Sequence, residues 1–221
     1  MCAAPGGKTT HLAALMQNKG CLVACDVSAA KVQRIEDNAR RLGVTNLQVP
    51  HLPRLETRML LLKPHPRPTI KVRKMDAAKS PKVFGAATFD RVLLDAPCSA
   101  LGTRPKLCEP ITLKELLNHP KVGAKLLEAA VEVLKPGGVL VYSTCTYCPL
   151  ENEDQVAAAL EKLPIDLEEP PPELQGLGEP GLTTTRLAST DAKMVRRFPP
   201  SGGTIGFFMA RFVKRAAAVA E

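Results

Sequence analysis

Short apolar runs alternate along this chain with longer segments whose apolar residues recur at helical spacing. The runs GCLVACD, FDRVLLD and GGVLVYST are the clearest of them. Apolar runs of this length are typical of strands that are buried on both faces of a parallel sheet. The alternation therefore predicts an α/β fold built on a mostly parallel, doubly wound sheet.

Three segments carry the apolar spacing of α-helices. One is AAKVQRIEDNARRLG, whose helix is expected to end at Gly43. Another runs from Pro120 to Lys135 and is expected to stop at the PGG that follows. The third, ENEDQVAAALEKL, has acidic residues in its first turn, where the helix dipole favours negative charge. Alternating apolar residues in IGFFMARFVKR predict a last strand.

Two segments depart from this alternation. Residues 50–70 hold five prolines without consistent periodicity, which predicts an insertion or a partly disordered loop. The flanking sequences VTNLQV and TIKVRKMDAA read as alternative ends of one element, so the insertion is placed at residues 47–69. Residues 164–204 are rich in Pro, Gly, Glu and Thr and are expected to form a long surface excursion.

Length and cysteine content favour a single intracellular domain. The chain has 221 residues and no apolar run approaching the roughly 20 residues that span a bilayer. Its seven cysteines are an odd number and are scattered, which favours reduced thiols over a disulfide framework. We expect a protein of the cytoplasm or nucleus, with an organelle matrix as the other possibility.

The basic residues of the chain are concentrated in one stretch. Residues 50–82 carry nine Lys or Arg against two acidic residues, whereas the net charge of the whole chain is +8. Such a stretch predicts contact with a polyanion such as nucleic acid. The alternative is a solvated basic loop.

Polar or flexible residues follow several of the predicted strands, at the sheet edge where α/β proteins bind ligands. In AAPGGK, Gly6 and Gly7 allow a ligand to approach the backbone, although an ordinary tight turn explains them equally well. Asp26 could accept both hydroxyls of a ribose or could cap a helix. Asp76 in KMDAAK could accept from an adenine amino group.

Two cysteines follow buried strands at the same expected sheet edge. Cys98 lies in LLDAPCSALGT beside Asp95, and Cys145 lies in VYSTCT. A single cysteine at such a place is most often a small packed apolar residue. Two that converge suggest thiol chemistry instead. Cys145 and Cys148 could also bind a metal, but no second CxxC pair or nearby His completes four ligands.

Taken in order and spacing, CAAPGGKTTH, DAPCSALGT and STCT resemble the Nsun (Nol/Nop/Sun, Fmu-type) RNA cytosine-5 methyltransferases. ENED after STCT and GFFMARF near the end strengthen the resemblance. GTRP and the IGFFMARFVK ending resemble the members that methylate the tRNA acceptor stem. The resemblance implies a Rossmann-like fold that uses S-adenosylmethionine (SAM), with RNA, and specifically tRNA, as the substrate.

The resemblance also assigns roles to individual residues. It implies that Cys145 is the nucleophile that attacks cytosine and that Cys98 assists release of the product. Asp95 would contact both SAM and the base edge, and Lys8 would help to hold the base or the cofactor. The residues implied in cofactor binding are Cys2, Ala3, Ala4, Pro5, Gly6, Gly7, Lys8, Asp26, Asp76 and Asp95. No metal and no membrane are expected as partners, and a monomer is the expected state.

The family pattern includes segments that do not precede CAAPGGK here. These are a buried strand ending in Asp and, further upstream, an RNA-binding region. Because that first strand would lie centrally in the sheet, its neighbours are expected to lack a ladder partner. The 221-residue chain alone is therefore expected to be poorly stable and inactive. Two alternatives stay open, an inactive RNA-binding remnant and a SAM-dependent methyltransferase of a substrate other than RNA.

Overall fold

The structure, a computed structural model, describes residues 1–44, 47–48, 69–103 and 111–216. The chain divides into two units, Met1–Gly85 and Ala86–Glu221. Strands and helices alternate in both of them, which confirms the predicted α/β fold class. Most of the insertion predicted at 47–69, including most of the basic stretch, lies outside the described residues.

The first unit is a three-stranded parallel sheet with its helices. Strand β3 is central, with β1 and β2 paired in parallel on either side of it. The elements in chain order are α1 (Gly7–Leu15), β1 (Cys21–Asp26), α2 (Ala29–Arg41), β2 (Leu47–Gln48), β3 (Thr69–Lys74) and α3 (Ser80–Phe84).

Helix α2 follows the predicted pattern closely. Val32, Ile35 and Ala39 are buried, and Val32 and Ile35 pack in one apolar cluster with Ala24 of β1. Gly43 ends the helix with a φ of 68°, a conformation that glycine adopts without strain. Leu42, predicted on the same apolar face, is instead 55% exposed because it is already the capping residue.

The two sequences predicted to be alternative ends of one element are separate strands. Leu47 pairs with Ile70 and Gln48 with Lys71, so β2 and β3 run side by side in parallel. This corrects that part of the sequence interpretation, because a single element cannot pair with itself in parallel register.

The second unit has a mixed sheet in the order β4-β5-β8-β6, with β7 also paired to β8. Strands β4 and β5 are parallel, whereas β8 runs antiparallel to its partners. The elements are β4 (Phe89–Asp95), α4 (Leu113–Val133), β5 (Leu134–Thr144), α5 (Glu153–Lys162), β6 (Ile165–Glu168), α6 (Ser189–Ala192), β7 (Arg196–Phe198) and β8 (Phe207–Lys214).

Large side chains of β5 and β8 form the centre of the second core. Phe208 and Phe212 alternate along β8 with less buried residues, as the predicted strand pattern requires. Tyr142 of β5 packs edge-to-face against Phe208 with ring centroids 6.4 Å apart. Burying each such side chain contributes about 1.5–3 kcal/mol.

Helix α4 begins earlier and ends sooner than its periodicity predicted. Thr112 and Glu115 form a capping box, which starts the helix well before Pro120. At the other end Leu134 already pairs with Phe89 of β4, so Pro136, Gly137 and Gly138 lie within β5 instead of stopping a helix at Lys135.

Residues 164–204 are more ordered than a surface excursion. They contribute β6 and β7 to the sheet and carry the short helix α6. Leu187, Val195 and Arg197 from this segment are buried. Its Pro and Gly content therefore reflects turns between short elements, not a lack of structure.

The structure contains two sheets where the sequence predicted one. Within the described residues, β1 pairs only with β3 and β4 pairs only with β5. Each is therefore an edge strand of its sheet among the described residues. In the same part of the chain, no helix is both long and apolar enough to cross a membrane.

Candidate active site

The glycine-rich loop of the first unit leads directly into α1. Gly6 is the N-cap residue and has a φ of 104°. A Cβ atom at this position would lie 3.0 Å from the Cα of Ile35. The loop therefore packs so closely on α2 that only glycine fits.

The N-terminus of α1 has no side-chain cap. The hydroxyl of Thr10 donates instead to the carbonyls of Gly6 and Gly7, at 3.1 and 3.0 Å, inside the first turn. Backbone N–H groups at such an end are directed outwards, where they suit an anionic ligand group such as a carboxylate. Lys8 lies in this first turn and is exposed.

Asp26 connects the end of β1 to the glycine-rich loop. Its carboxylate accepts from the backbone nitrogens of Ala4 at 3.2 Å and Ser28 at 3.3 Å, and its side chain is buried. The neighbouring Ala3 N–H donates to the carbonyl of Cys25. Each carboxylate oxygen can accept more than one hydrogen bond, so this backbone role is compatible with binding ligand hydroxyls.

Asp76 follows β3, the strand next to β1. It is exposed and caps a short 3₁₀ turn, Ala77–Lys79, by accepting from the Ala78 nitrogen at 3.0 Å. The Met75 N–H donates to the carbonyl of Asp26, which joins the two strand ends. The predicted cofactor residues Cys2 to Lys8, Asp26 and Asp76 thus gather at one edge of the sheet in the first unit.

The second unit brings the two predicted cysteines together. Asp95 pairs with Ser143 in the register of β4 and β5, and each chain then turns into the loop that carries a cysteine. The sulfur atoms of Cys98 and Cys145 are 3.5 Å apart, and both residues are half-buried. The hydroxyl of Ser143 donates to the Asp95 carboxylate at 2.8 Å. Asp95 therefore lies at the strand end from which the Cys98 loop begins, and Ser143 joins it to the strand that leads to Cys145.

The contact and burial both affect the Cys98 thiol. The hydrogen bond with Cys145, and after it burial, raises the pKa of the Cys98 thiol well above its usual range. Cys98 consequently keeps its proton at neutral pH. A protonated thiol in this place can donate a hydrogen bond to the sulfur of Cys145.

Three buried polar residues join the two cysteine loops. The carboxylate of Glu151 accepts from the Ser99 backbone nitrogen at 2.9 Å and from the Ser99 hydroxyl at 2.5 Å. The Ser99 hydroxyl also lies 2.7 Å from that of Thr146. Ser99 and Thr146 are the residues that directly follow Cys98 and Cys145.

Asn152 supports the second cysteine loop from inside. Its side-chain oxygen accepts from the Thr144 hydroxyl at 2.6 Å, and its side-chain nitrogen donates to the Thr146 carbonyl at 2.9 Å. Asn152 therefore holds the Thr144 side chain and the Thr146 backbone on either side of Cys145, and all three residues are buried.

Two glycines meet on the other side of the cysteine cluster. The Gly102 N–H donates to the carbonyl of Cys145 at 3.0 Å, and the Gly206 N–H donates to the carbonyl of Gly102 at 2.7 Å. A Cβ at Gly102 would lie 2.5 Å from the Gly206 oxygen, and one at Gly206 would collide with the ring of Tyr147. This close backbone approach requires glycine at both positions.

A buried ion pair braces the chain beyond Cys145. One guanidinium nitrogen of Arg197 lies 2.6 and 2.8 Å from the two carboxylate oxygens of Glu153, and another donates to the Tyr147 carbonyl at 2.8 Å. The guanidinium also lies over the ring of Tyr147. Glu153 is fully buried, so the charge of Arg197 is needed to keep it there.

Sequence reasoning missed these supporting residues. ENED was interpreted as favourable to the helix dipole and as part of the family resemblance, whereas Glu151, Asn152 and Glu153 also point into the protein and are satisfied there. The available signal was their position directly after STCT, because polar residues that follow a buried strand are well placed to support its loop.

The metal alternative finds no additional support. In residues 1–44, 69–103 and 111–216, no group of three His, Cys, Asp or Glu side chains could hold an ion. The backbone nitrogen of Cys148 donates to the Thr146 hydroxyl, and burial raises the pKa of its thiol. Cys148 thus contributes to the loop that follows Cys145.

The chain matches the family described as 16S rRNA methyltransferase RsmB/F over residues 1–63 and 54–213. It is 38% identical to the mouse tRNA (cytosine(72)-C(5))-methyltransferase NSUN6, covering 97% of this chain and 47% of that protein. It is 39% identical to the tRNA (cytosine(72)-C(5))-methyltransferase of Pyrococcus horikoshii, covering 97% of this chain and 46% of that protein. The chain thus spans about half the length of these relatives.

A solved structure shows the same relationship. The crystal structure of NSun6 from Pyrococcus horikoshii with SFG, an analogue of SAM, has a TM-score of 0.78 and 38% sequence identity. The match covers 98% of this chain and 47% of that one.

Proposed function

Because this chain belongs to the 16S rRNA methyltransferase RsmB/F family, we propose that it transfers the methyl group of SAM to carbon 5 of a cytosine in RNA. The family resemblance drawn from the sequence motifs is confirmed by the same matches. The observation that carries the proposal is the contact between the Cys98 and Cys145 sulfurs beside Asp95. A methyltransferase acting on an ordinary nucleophile would not need two such thiols.

The chemistry explains why the reaction uses a thiol. Carbon 5 of cytosine is too weak a nucleophile to attack the methyl sulfonium of SAM directly. Addition of a thiolate to carbon 6 moves electron density to carbon 5, while a proton or hydrogen bond at N3 accepts the developing charge. After methylation, a base removes the proton on carbon 5. The carbon–sulfur bond then breaks by β-elimination, which restores the ring and frees the thiol.

The two cysteines take different roles in this scheme. Cys145 is the proposed nucleophile, and Cys98 is proposed to assist release. This division follows the family resemblance, in which the STC cysteine is the nucleophile and the APC cysteine assists release. Asp95 is proposed to contact the base edge, with the Ser143 hydroxyl fixing its carboxylate.

Residues of the first unit are proposed to hold SAM, which supplies the methyl group. The uncapped first turn of α1 suits a carboxylate, and Asp26 suits the two hydroxyls of a ribose. Asp76 is proposed to accept from the adenine amino group, and Lys8 to hold the cofactor or the base. Cys2, Ala3, Ala4, Pro5, Gly6 and Gly7 would provide the close backbone surface.

Transfer RNA is the proposed substrate class, since the first relatives are named as tRNA cytosine methyltransferases. A reaction at carbons 5 and 6 requires access to the faces of the ring. The target cytosine must therefore be unpaired or flipped out of its stack. Other relatives are named for rRNA, so rRNA is the competing substrate to be tested beside tRNA.

Covalent trapping tests the proposal. Nitrogen at position 5 of 5-azacytidine carries no proton to lose after methyl transfer, so elimination fails and the enzyme stays attached. We expect a denaturation-resistant complex with azacytidine-substituted tRNA in the presence of SAM, and none with unsubstituted tRNA. A protein that methylates small molecules or proteins would form no such complex.

Titration with SAM separates an enzyme from an RNA-binding remnant. The 221-residue chain should be compared with the same chain restored at its N-terminus by the strand that the family pattern places before CAAPGGK. Heat of SAM binding in either protein supports the cofactor assignment. RNA binding by both without any SAM binding would favour the remnant.

A further inference from the structure

We propose that Glu151 is a positioning residue, which sets the separation of the Cys98 and Cys145 sulfurs by holding Ser99 and, through it, Thr146. The proposal rests on the function proposed above, because it concerns the two thiols of that site. Neither the motif resemblance nor the comparisons assign this role.

The carboxylate acts at the backbone next to one cysteine. Glu151 Oε2 accepts from the Ser99 N–H, which belongs to the peptide bond that joins Cys98 to Ser99. Moving this peptide would rotate the Cα–Cβ bond of Cys98. The distance of 2.9 Å and the burial of both residues make this a well-formed hydrogen bond away from water.

The hydroxyls of Ser99 and Thr146 connect Glu151 to the loop that carries Cys145. The Ser99 hydroxyl donates its single proton to Oε1 of Glu151. Ser99 must then accept from the Thr146 hydroxyl, which in turn accepts from the Cys148 N–H at 3.2 Å. Each group in this series therefore donates to the next, beginning in the loop after Cys145 and ending at the Glu151 carboxylate.

Glu151 is itself firmly held. Its carbonyl accepts from the hydroxyl of Tyr142 at 2.6 Å, and its N–H donates to the carbonyl of Cys148 in a 3₁₀ turn. Tyr142 is fully buried in β5, so the restraint is anchored in the sheet. The carboxylate thus has a fixed origin from which to hold both loops.

Burying a carboxylate carries a desolvation penalty. Replacing a buried charged group by apolar side chains of similar volume often leaves the stability of a protein unchanged or raises it. Its advantage here is geometric. Both thiols are to act on one base in successive steps, and small misplacement of reacting groups lowers rates strongly. Because Ser99 and Thr146 each adjoin a cysteine, a single carboxylate defines both sulfur positions.

Disulfide closure reports the sulfur geometry without RNA or SAM. Diamide accepts the two electrons and two protons of a pair of thiols, becoming a hydrazine as the disulfide forms. We would treat the 221-residue protein with diamide and measure the Cys98–Cys145 disulfide by peptide mass spectrometry over time. Wild-type protein is expected to form it readily, whereas Glu151→Gln and Ser99→Ala should form it about tenfold more slowly.

Glu161→Gln is the matched control, because it makes the same substitution at an exposed site on α5. It should close the disulfide at the wild-type rate. Circular dichroism of each variant shows that the fold is retained, and Ser99→Ala keeps the backbone hydrogen bond to Glu151. In methylation assays, the two test variants should lower kcat with little change in the KM for RNA.

The result of the disulfide experiment does not depend on whether the proposed function is correct. If wild-type protein forms no trapped complex with RNA, the proposed function fails while the disulfide rates still test the positioning role. Closure in folded Glu151→Gln and Ser99→Ala at the wild-type rate would overturn the inference. So would a wild-type protein in which this disulfide does not form.

Discussion

Residue chemistry in this protein is governed by a contact between two sulfur atoms. Because Cys98 and Cys145 share a hydrogen bond, the pKa of Cys98 is raised and its proton is retained. Methylation of cytosine needs one thiol that attacks and a second group that serves a later step. We expect this pair of thiols to supply both groups.

Removing each cysteine should stop the proposed reaction at a different step. Cys145→Ala should abolish methylation and leave no covalent RNA adduct, because the attacking sulfur is gone. Cys98→Ala should allow the adduct to form and accumulate, because release is impaired. Denaturing gel electrophoresis with labelled tRNA distinguishes the two. A covalent RNA adduct that persists in Cys145→Ala would contradict the assignment of Cys145 as the nucleophile.

The hydrogen bond between the thiols also predicts a change in pH dependence. It is the largest cause of the raised Cys98 pKa, so Cys145→Ala should lower that pKa, with burial left as the largest raising effect. The thiolate reacts with iodoacetamide, hence alkylation of Cys98 should begin at lower pH in this variant than in wild type. Mass spectrometry measures the extent of Cys98 alkylation in both proteins across pH 7 to 10. Unchanged profiles would contradict the assigned cause.

At the scale of elements, the cysteine loops depend on contacts between segments that are distant in the chain. The glycine contact joins the loop after β4 to the start of β8, and the Glu153–Arg197 pair joins α5 to β7. None of these contacts lies within one helix or strand. Loops carry the chemistry here, and neighbouring elements give them a fixed shape.

A substitution at the contact between Gly102 and Gly206 should destabilise the protein. In Gly102→Ala the added Cβ would lie 2.5 Å from the Gly206 oxygen, a backbone atom that cannot move alone. We expect destabilisation of about 1–3 kcal/mol, with loss of RNA trapping as the Cys145 loop shifts. Gly7→Ala is the control for stability, because a Cβ there meets nothing within 4 Å. Equal melting temperatures for both variants would count against the contact.

Breaking the buried ion pair should lower the free energy of unfolding far more than breaking an exposed ion pair. Arg197→Met leaves the fully buried carboxylate of Glu153 without its partner, and we expect a loss of about 3–5 kcal/mol in unfolding free energy. Arg186→Met removes the exposed pair with Glu161 and should cost less than about 1 kcal/mol. Urea denaturation of both variants makes the comparison. Similar losses would show that burial does not set the difference.

For the whole molecule, charge is the property that bears on its partner. The net charge of +8 favours association with a polyanion, and the aromatic content of 4% leaves few side chains for base stacking. Phosphate contacts should therefore dominate RNA affinity. Much of the basic stretch at 50–82 lies outside the described residues, but Arg73, Lys74, Lys79 and Lys82 are within them.

RNA binding should weaken steeply with added salt, because phosphate contacts release condensed counterions. Lys79→Gln/Lys82→Gln should weaken binding further and make its salt dependence shallower, since both side chains are exposed in the basic stretch. Lys162→Gln is the control, a single exposed charge outside that stretch. Fluorescence anisotropy with tRNA between 50 and 200 mM salt would measure this. Salt-independent affinity would argue against phosphate contacts.

Most strands and the motif positions could be predicted because their signals are local. Apolar runs identified β1, β4 and β5, apolar alternation identified β8, and the spacing in α2 identified its buried face. Element boundaries were less certain. Pro120 resembled a helix start until the capping box at Thr112 was seen, and the short strand β7 carried too few residues to show a period.

The sequence by itself determined the alternating fold, the family and the placement of Cys98 and Cys145 just beyond two buried strands. These follow from residue periodicity and motif spacing, which need no knowledge of the fold. Only the tertiary structure decided that Glu151 reaches Ser99 across 52 positions and that Gly102 meets Gly206. Such contacts depend on strand register and on loop paths through the core, and neither is encoded in any single local pattern.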